Sequence, residues 1–229
     1  MTFDPDFFLF QILPYIALAV LLLGSIVRFD RDPYSWRSKS SQLLRKKQLM
    51  WGSNLFHIGI LVVLAGHAVG LLTPIAVFDA LGISHGFKQI LAMGVGGVAG
   101  MLCLIGLLIL LHRRLADPRI RANSSFSDIA VLVLLLAQLL LGLFSITVSM
   151  RHLDGHEMVK FMEWAQHIVT FRGGAADFVR DVHVVFKLHL TLGMFLLIVF
   201  PFTRLVHVWS APVFYVFRRQ YQIVRRREV

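Results

Sequence analysis

Long uninterrupted runs of apolar residues alternate with shorter polar segments along the whole chain. Five such runs cover approximately residues 7–27, 49–72, 90–111, 129–149 and 182–209. Each run is near or above the roughly 20 residues that an α-helix needs to cross a bilayer. The pattern therefore predicts an all-α, integral membrane bundle of five helices, and we expect residues 1–229 to form a single membrane domain.

Composition agrees with a membrane protein and restricts the chemistry of any cofactor. The chain is 57% hydrophobic and 16% charged, whereas soluble domains have roughly 25% charged residues. The acidic segment before the first run lacks the basic region and cleavage site of a secretory signal, so we expect that run to be retained. The single cysteine, Cys103, excludes an internal disulfide, a cysteine-ligated iron–sulfur cluster and a thioether-linked haem within this chain.

The basic residues are sorted by side of the membrane, which predicts the orientation. The formal net charge is +10, but the charges do not form one soluble face, so we expect no nucleic-acid partner. Seventeen of the 23 Lys and Arg residues lie in the loop between the first two runs, in the loop between the third and fourth, and in the C-terminal end. Because cytoplasmic loops carry the excess of basic residues, the N-terminus is predicted outside and the C-terminus in the cytoplasm.

Four of the ten histidines lie within two of the apolar runs. His57 and His67 belong to the second run, and His189 and His207 belong to the fifth. Neutral imidazole is a good axial ligand of haem iron, so two facing helices with two histidines each favour two bis-histidine haems. A single intramembrane histidine can equally bond a neighbouring helix or take part in a proton path, which leaves a haem-free membrane anchor or proton-relay protein as an alternative.

The antiparallel direction of these two helices predicts which histidines pair. His57 should meet His207 on the inner side, and His67 should meet His189 on the outer side, because the crossed pairing would join opposite depths. The spacings do not match, since ten residues of helix span ~15 Å and 18 residues span ~27 Å. Pro201 lies between the two fifth-run histidines, and a kink near Phe200 would shorten the longer distance.

Several sequence segments carry a family resemblance over nearly the whole chain. They are NLFHIGIL at 54–61, GH at 66–67 followed by GLLTP at 70–74, WAQ at 164–166 with TF at 170–171, and LHL at 188–190 running through PFTRLVHVWS at 201–210. In these segments the chain resembles the gamma subunit of respiratory nitrate reductase, the dihaem cytochrome b of that complex. The order and spacing of the segments make the resemblance more specific than a single motif.

The resemblance implies a function, cofactors and partners. It implies two b haems held by His57 with His207 and by His67 with His189, and quinol oxidation near the outer haem with protons released outside. It also implies electron delivery to an iron–sulfur beta subunit and a molybdenum alpha subunit on the cytoplasmic face of a bacterial or archaeal inner membrane. The chain would thus be the quinol-oxidising subunit of an oxidoreductase without a nitrate-reducing site, because it has no cysteine cluster or soluble domain for a molybdenum cofactor.

The resemblance also indicates a quinol site and a related alternative function. Lys88, at the start of the third run, matches a lysine implicated in quinol binding in the family, and it could equally be an interfacial lysine that reaches the headgroups. Gly66 would leave room beside His67, and His85 is a weaker candidate for the same pocket. A dihaem cytochrome b of another reductase, of the sulfite-reduction or heterodisulfide type, remains the alternative within the same chemistry.

The remaining sequence features have simpler interpretations. Arg113, Arg114 and Arg204 lie where inner haem propionates could emerge, and ordinary anchoring at a basic inner face explains them equally well. Four glycines in the third run predict a close helix approach: Gly94, Gly96, Gly97 and Gly100. The segment between the last two runs predicts a short surface helix around residues 160–170. Five histidines are expected at the membrane boundaries or in this outer segment: His112, His152, His156, His167 and His183.

Overall fold

The computed structural model describes residues 4–36, 44–151 and 153–210, and the described chain is helical without a β-strand. Five of its helices are long and apolar enough to cross a membrane, and we call them the first to fifth spans: Pro5–Arg31, Lys46–Leu72, His85–Ala116, Phe126–Ser149 and Val184–Phe202. The predicted all-α architecture of five membrane helices is confirmed. His152, Arg37, Lys39 and the five arginines after Ser210, at positions 218, 219, 225, 226 and 227, lie outside the described residues.

Side chains just before the spans fix where several of them begin. The carboxylate of Asp4 accepts the main-chain N–H groups of the first span, and the hydroxyl of Ser84 does the same for the third. The fourth span begins with a reciprocal capping box between Ser125 and Asp128. His183 caps the fifth span by accepting the N–H of Val185 at its Nδ1. These residues satisfy N–H groups that have no partner within the helix.

Successive spans run in opposite directions, so the bundle has two chemically different ends. The basic end comprises residues 28–36, 44–47, 113–125 and 203–210, and it includes the described arginines of the loops between the first and second and between the third and fourth spans. The distal end comprises residues 4–6, 73–88, 150–151 and 153–183. The closest packing joins the second and third spans, while the third packs on the fourth, the fourth on the fifth and the fifth on the first. Within the described chain, the second and fifth spans are not one of these closely packed pairs.

Glycines allow the second and third spans to approach until their backbones nearly touch. A Cβ on Gly59 would lie 2.5 Å from the carbonyl oxygen of Ala99, and a Cβ on Gly106 would overlap the main-chain nitrogen of Phe56. Because these obstacles are main-chain atoms, they cannot rotate away as a side chain could. Both glycines are therefore required by this interface.

The glycines that the sequence singled out in the third span have a smaller part in packing than expected. A Cβ on Gly94 or Gly96 would meet nothing within 4 Å, and one on Gly97 would make only an ordinary contact. A Cβ on Gly100 would press on the flexible side chain of Leu143. The close approach lies elsewhere, at Gly59 and Gly106, where the helix facing them presents main chain.

Short helices cover the distal end. The outer helix His156–Val169 corresponds to the surface helix expected around 160–170, and the helix Ala175–Val179 follows it. The helix Ile75–Ala80 connects the second and third spans at this end. A further short helix, Pro118–Ala122, connects the third and fourth spans at the basic end. The indole of Trp164 donates to the carbonyl of Phe10 at 2.9 Å, where the first span contains a π-helical turn. The amide of Gln166 donates to the carbonyl of Thr73 at 3.0 Å. The outer helix therefore joins the ends of the first and second spans.

The fifth span is broken where the sequence predicted a kink. The α-helix covers Val184–Val199 rather than the whole of 182–209, and two 3₁₀ segments follow, Phe200–Phe202 and Arg204–Ser210, with extended backbone at Thr203 between them. Pro201 has no N–H to donate and its ring crowds the preceding turn, so the α-helix cannot pass through it. His207 consequently lies on a separate segment from His189.

Candidate functional site

The four intramembrane histidines face one another in two pairs. The ring centres of His57 and His207 are 6.3 Å apart with an interplanar angle of 74°. Those of His67 and His189 are 6.2 Å apart with an interplanar angle of 40°. One pair lies toward the basic end and the other toward the distal end. The break in the fifth span brings His207 to His57 although the spacings along the two helices differ.

Three of these imidazoles are held by a main-chain carbonyl three or four residues earlier in the chain. The Nδ1 atoms of His57, His67 and His207 donate to the carbonyls of Ser53 at 2.7 Å, Val63 at 2.8 Å and Arg204 at 2.6 Å. A neutral imidazole that donates from Nδ1 keeps the lone pair of Nε2 for another ligand. The backbone therefore fixes both the tautomer and the orientation of each ring.

His189 is held by the fourth span instead. Its Nδ1 is buried and has no hydrogen-bond partner among the described residues. The side-chain amide of Gln138 donates to the main-chain carbonyl of His189 at 3.1 Å. A Cβ on Gly142 would lie 3.0 Å from Cε1 of the ring, so the absence of a side chain there gives the imidazole its space. The fourth span thus determines how far the ring can turn.

The separation of the rings distinguishes a shared ion from a direct hydrogen bond. Two imidazoles on opposite sides of one ion, each with a metal–nitrogen bond of ~2 Å, have ring centres ~6 Å apart. A direct hydrogen bond of ~3 Å between ring nitrogens would place the centres only ~5 Å apart. Both observed separations match the shared ion. A b haem would need only two ligands from the protein, and the two histidines of one pair could supply them. Among the described residues, no group of three or more His, Cys, Asp or Glu residues could hold a bare metal ion.

Lys88 is a buried cation without a carboxylate partner. Its side chain lies at the distal end of the third span, with the ammonium 2.8 Å from the sulfur of Met162 and 4.2 Å from the ring centre of Phe78. No carboxylate of the described residues lies within ion-pair distance of it. These contacts use little of the hydrogen-bonding capacity of an ammonium group, which has three donors.

Gly66 and His85, the other two residues assigned to a quinol pocket, have different surroundings. A Cβ on Gly66 would meet nothing within 4 Å, so the backbone beside His67 is uncovered. The Nε2 atom of His85 lies 3.7 Å from a carboxylate oxygen of Asp79, and its Nδ1 is buried without a partner among the described residues. Lys88 and His85 share the first turn of the third span.

An acidic residue that the sequence reading missed organises the arginines at the basic end. Asp128 is buried and lies 2.9 Å from Nε of Arg204 and 3.4 Å from Nη1 of Arg114. Arg113 is also buried and donates to the carbonyl of Leu44 at 2.6 Å. Two of the three arginines assigned to haem propionates or to surface anchoring therefore join the third, fourth and fifth spans through Asp128. The only sequence signal for Asp128 is its place in the capping box.

The other described histidines lie toward the two ends of the bundle. His112 contacts Gln48 at the basic end, and His156 is exposed at the start of the outer helix. The ring of His167 donates to the carbonyl of Glu163 and packs on Phe178, while His183 caps the fifth span. None of these four faces a second histidine ring in the described part of the chain.

Ion pairs attach the start of the first span to the distal end. Asp4 lies 2.9 Å from Arg180, and Asp6 lies 2.8 Å from Lys187. A hydrogen bond from the backbone N–H of Phe7 and the guanidinium of Arg180 lower the pKa of Asp4, and the carboxylate of Asp4 raises the pKa of Arg180. Both partners of this pair are therefore charged at neutral pH.

Comparisons with known proteins identify the family. The family model described as the nitrate reductase gamma subunit matches residues 6–227. The chain is 50% identical to the respiratory nitrate reductase 1 gamma chain of Escherichia coli K12, over 97% of this chain and 98% of that relative. It is 42% identical to the nitrate reductase gamma chain of Bacillus subtilis 168, over 96% and 97% of the two chains.

A more distant relative extends the similarity to another class of reductase. The chain is 26% identical to the Hdr-like menaquinol oxidoreductase cytochrome b-like subunit of Archaeoglobus fulgidus, over 86% of this chain and 74% of that relative. The full-length matches to bacterial gamma chains are much stronger. Together with the five apolar helices, they assign the chain to the nitrate reductase gamma subunit family, as a multi-pass inner-membrane subunit of a respiratory nitrate reductase.

Proposed function

We propose that this chain is a dihaem cytochrome b that oxidises quinol at its distal end and delivers electrons to an iron–sulfur partner at its basic end. His57 and His207 would hold one b haem, and His67 and His189 would hold the other. The observation that carries the proposal is the ring separation of 6.3 and 6.2 Å in the two pairs. This distance suits two imidazoles on one ion and exceeds that of a direct hydrogen bond.

Main-chain hydrogen bonds would orient three of these four ligands. Three Nδ1 atoms donate to carbonyls of their own chain segments, so the Nε2 lone pairs remain available. The second span, which carries His57 and His67, and the fifth span, which carries His189, are not a closely packed pair in the described chain. This leaves width between the facing rings. The two histidines of each pair would hold a b haem, which would exchange single electrons there.

At the distal end, Lys88 and Gly66 would bind quinol. The ammonium of Lys88 can donate to a quinol oxygen because its present contacts are a thioether and an aromatic ring. The uncovered backbone at Gly66 gives the quinol ring access to the side of His67. His85, which lies near the carboxylate of Asp79, could accept a proton that the quinol releases.

The distribution of basic residues supports one orientation of the bundle in the membrane. The excess of basic residues would place the basic end in the cytoplasm and the distal end outside. The iron–sulfur beta subunit and the molybdenum alpha subunit would then dock at the basic end, and the protons of quinol would be released outside. The chain itself would lie in membrane lipid and would reduce no nitrate.

Two alternatives are testable. The archaeal relative named as a menaquinol oxidoreductase subunit favours, as a second candidate, a cytochrome b that serves another reductase of the heterodisulfide or sulfite-reduction type. Copurification of the native complex distinguishes them by the identity of the soluble subunits. A haem-free anchor or proton relay would instead use the histidines as hydrogen-bonding or relay groups, and it would show no b-type band in a reduced-minus-oxidised visible spectrum.

Single histidine substitutions test the proposed ligand pairs. We expect His67→Phe and His189→Phe to remove the same b-type component from the reduced-minus-oxidised spectrum and to abolish quinol oxidation. We expect His57→Phe and His207→Phe to remove the other component. His112→Phe, at the basic end of the third span, is the matched control and should retain both. Retention of both components in either pair of variants would refute the assignment.

A further inference from the structure

The break in the fifth span frees main-chain carbonyls that would otherwise bond within a helix. Groups freed at membrane depth are costly unless another donor satisfies them. Arg28, at the end of the first span, provides that donor. Its Nη1 donates to the carbonyl of Pro201 at 2.6 Å and to the carbonyl of Thr203 at 2.8 Å. One guanidinium therefore bonds the carbonyl of Pro201 before the break and the carbonyl of Thr203 at the break.

The rest of the same guanidinium is used in the loop that follows the first span. Its Nε donates to the hydroxyl of Ser35 at 3.1 Å, and its Nη2 donates to the carbonyl of Ser35 at 2.9 Å. No carboxylate of the described residues lies within ion-pair distance of Arg28. The planar guanidinium of Arg28 thus donates to three main-chain carbonyls, those of Pro201, Thr203 and Ser35.

Additional contacts fasten the segment around His207 to the first span. A Cβ on Gly24 would lie 2.9 Å from the ring of Pro201, so the two chains are in close contact at the break. The indole of Trp209 donates to the hydroxyl of Ser25 at 3.2 Å. The indole of Trp36 donates to the hydroxyl of Ser210 at 2.6 Å. The segment is therefore held before and after the histidine.

The other side of the segment is held by the fourth span. Asp128 bonds the side chain of Arg204 at 2.9 Å, and the main-chain carbonyl of the same Arg204 accepts the Nδ1 of His207 at 2.6 Å. The carbonyl that orients His207 thus belongs to a residue fixed by an ion pair. Arg28 and Asp128 together determine where this carbonyl lies.

We propose that Arg28 is a positioning residue for His207: by bridging the carbonyls of Pro201 and Thr203 it sets the geometry of the His57–His207 pair and leaves the His67–His189 pair unaffected. This inference rests on the proposed function, because its readout is the haem that the pair would hold. Arg28 itself is not a ligand. A lysine could place one charge near the break, but it lacks the fork that reaches three carbonyls.

The test compares the two centres within one purified complex. Wild type, Arg28→Met, Arg28→Lys and Arg31→Met are assayed for haem content, for the low-spin electron paramagnetic resonance signals and for the midpoint potential of each centre. Arg31 is the matched control, because it is exposed at the same end and, among the described residues, forms an ion pair only with its neighbour Asp30. The His207→Phe and His189→Phe variants assign each signal to a pair.

We expect Arg28→Met to lose or shift the signal and potential of the His57–His207 centre, Arg28→Lys to restore them in part, and Arg31→Met to match wild type. Unchanged signals in Arg28→Met, or an equal change at both centres, would overturn the proposal. If Arg28→Met does not assemble, a wild-type signal in Arg28→Lys overturns it. A wild-type complex without two bis-histidine signals would contradict the proposed function instead, so the two failures are distinguishable.

Discussion

Three of the four imidazoles inside the bundle are oriented by hydrogen bonds to main-chain carbonyls rather than by acidic side chains. A carboxylate partner would add a charge at membrane depth, which is costly. A carbonyl of the same segment fixes the ring at lower cost, and it does so for His57, His67 and His207. His189 lacks this bond and is confined by Gly142 and the fourth span. The two proposed centres therefore differ in how firmly one ligand is held.

Lys88 gives the sharpest test of the proposed quinol site. Among the described residues, the contacts of its ammonium are a thioether and an aromatic ring, so Lys88→Met leaves no carboxylate unpaired. The substitution should therefore leave folding and both haem spectra unchanged. If the ammonium bonds a quinol oxygen, the loss of a charged hydrogen bond of ~1.5–3 kcal/mol should raise the KM for quinol about 10- to 100-fold. Steady-state quinol oxidation by purified complex measures this.

Lys160→Met is the control for Lys88, because Lys160 lies in the outer helix and pairs with Glu157 at 2.8 Å. It should leave the KM unchanged. Nitrate reduction with a soluble donor that bypasses quinol should be normal in both variants. A normal KM in Lys88→Met would remove this residue from the quinol site.

Some of these residues could be predicted from the sequence and others could not, for a physical reason. Histidines and a lysine within or beside apolar runs stand out because ionisable groups are rare there. Arg28 lies where basic residues are expected anyway at an inner membrane face. Its partners are the carbonyls of Pro201 and Thr203, more than 170 positions away, and no side-chain pattern encodes them. That the four histidines bind haem stays a prediction.

At the scale of helices, the second and third spans form the tightest interface. His57 lies on the second span, beside this interface. Gly106 lies against the main chain of Phe56, the residue before that histidine. A methyl group at Gly106 must push the second span away because the backbone cannot rotate aside. The position of His57 therefore depends on a glycine in a neighbouring helix.

Gly106→Ala tests this dependence. We expect overpacking to cost about 1–3 kcal/mol, to lower the Tm of the purified complex and to disturb the spectral component that depends on His57. Thermal unfolding and the reduced-minus-oxidised spectrum measure both effects. Gly97→Ala is the control, since a Cβ there would lie 3.7 Å from Ile146, an ordinary contact. Equal Tm values for the two variants would contradict the interface described.

The fifth span illustrates what periodicity can and cannot predict. Pro201 marks the place where the helix is interrupted, and a kink there was expected. Whether the chain resumes as an α-helix depends on what satisfies the freed carbonyls, and Arg28 of the first span donates to those of Pro201 and Thr203. The 3₁₀ segment Arg204–Ser210 could not be predicted because it results from these distant contacts.

On the scale of the whole molecule, the number of spans and the family were predictable because they depend on run length and on motifs along one chain. The helices that cover the distal end were only partly predictable from the sequence. The surface helix was expected, but the bonds of Trp164 and Gln166 to the first and second spans join segments far apart in sequence. These bonds make the distal end a fixed cap on the bundle.

The orientation of the bundle can be tested by chemical labelling. In a Cys103→Ala background, Ala80→Cys places an exposed thiol at the distal end and Ala122→Cys places one at the basic end. If the basic end is cytoplasmic, a membrane-impermeant maleimide should label the former in intact cells and the latter only after permeabilisation. The reverse pattern would invert the proposed direction of electron delivery.

The central claim is that four imidazoles hold two haems at different depths, and the most direct measurement is the haem content of the purified wild-type complex together with its low-spin electron paramagnetic resonance spectrum. We predict two b haems per chain with two distinct bis-histidine signals. A complex with one haem or none, or with a signal of another axial ligand, would contradict the claim.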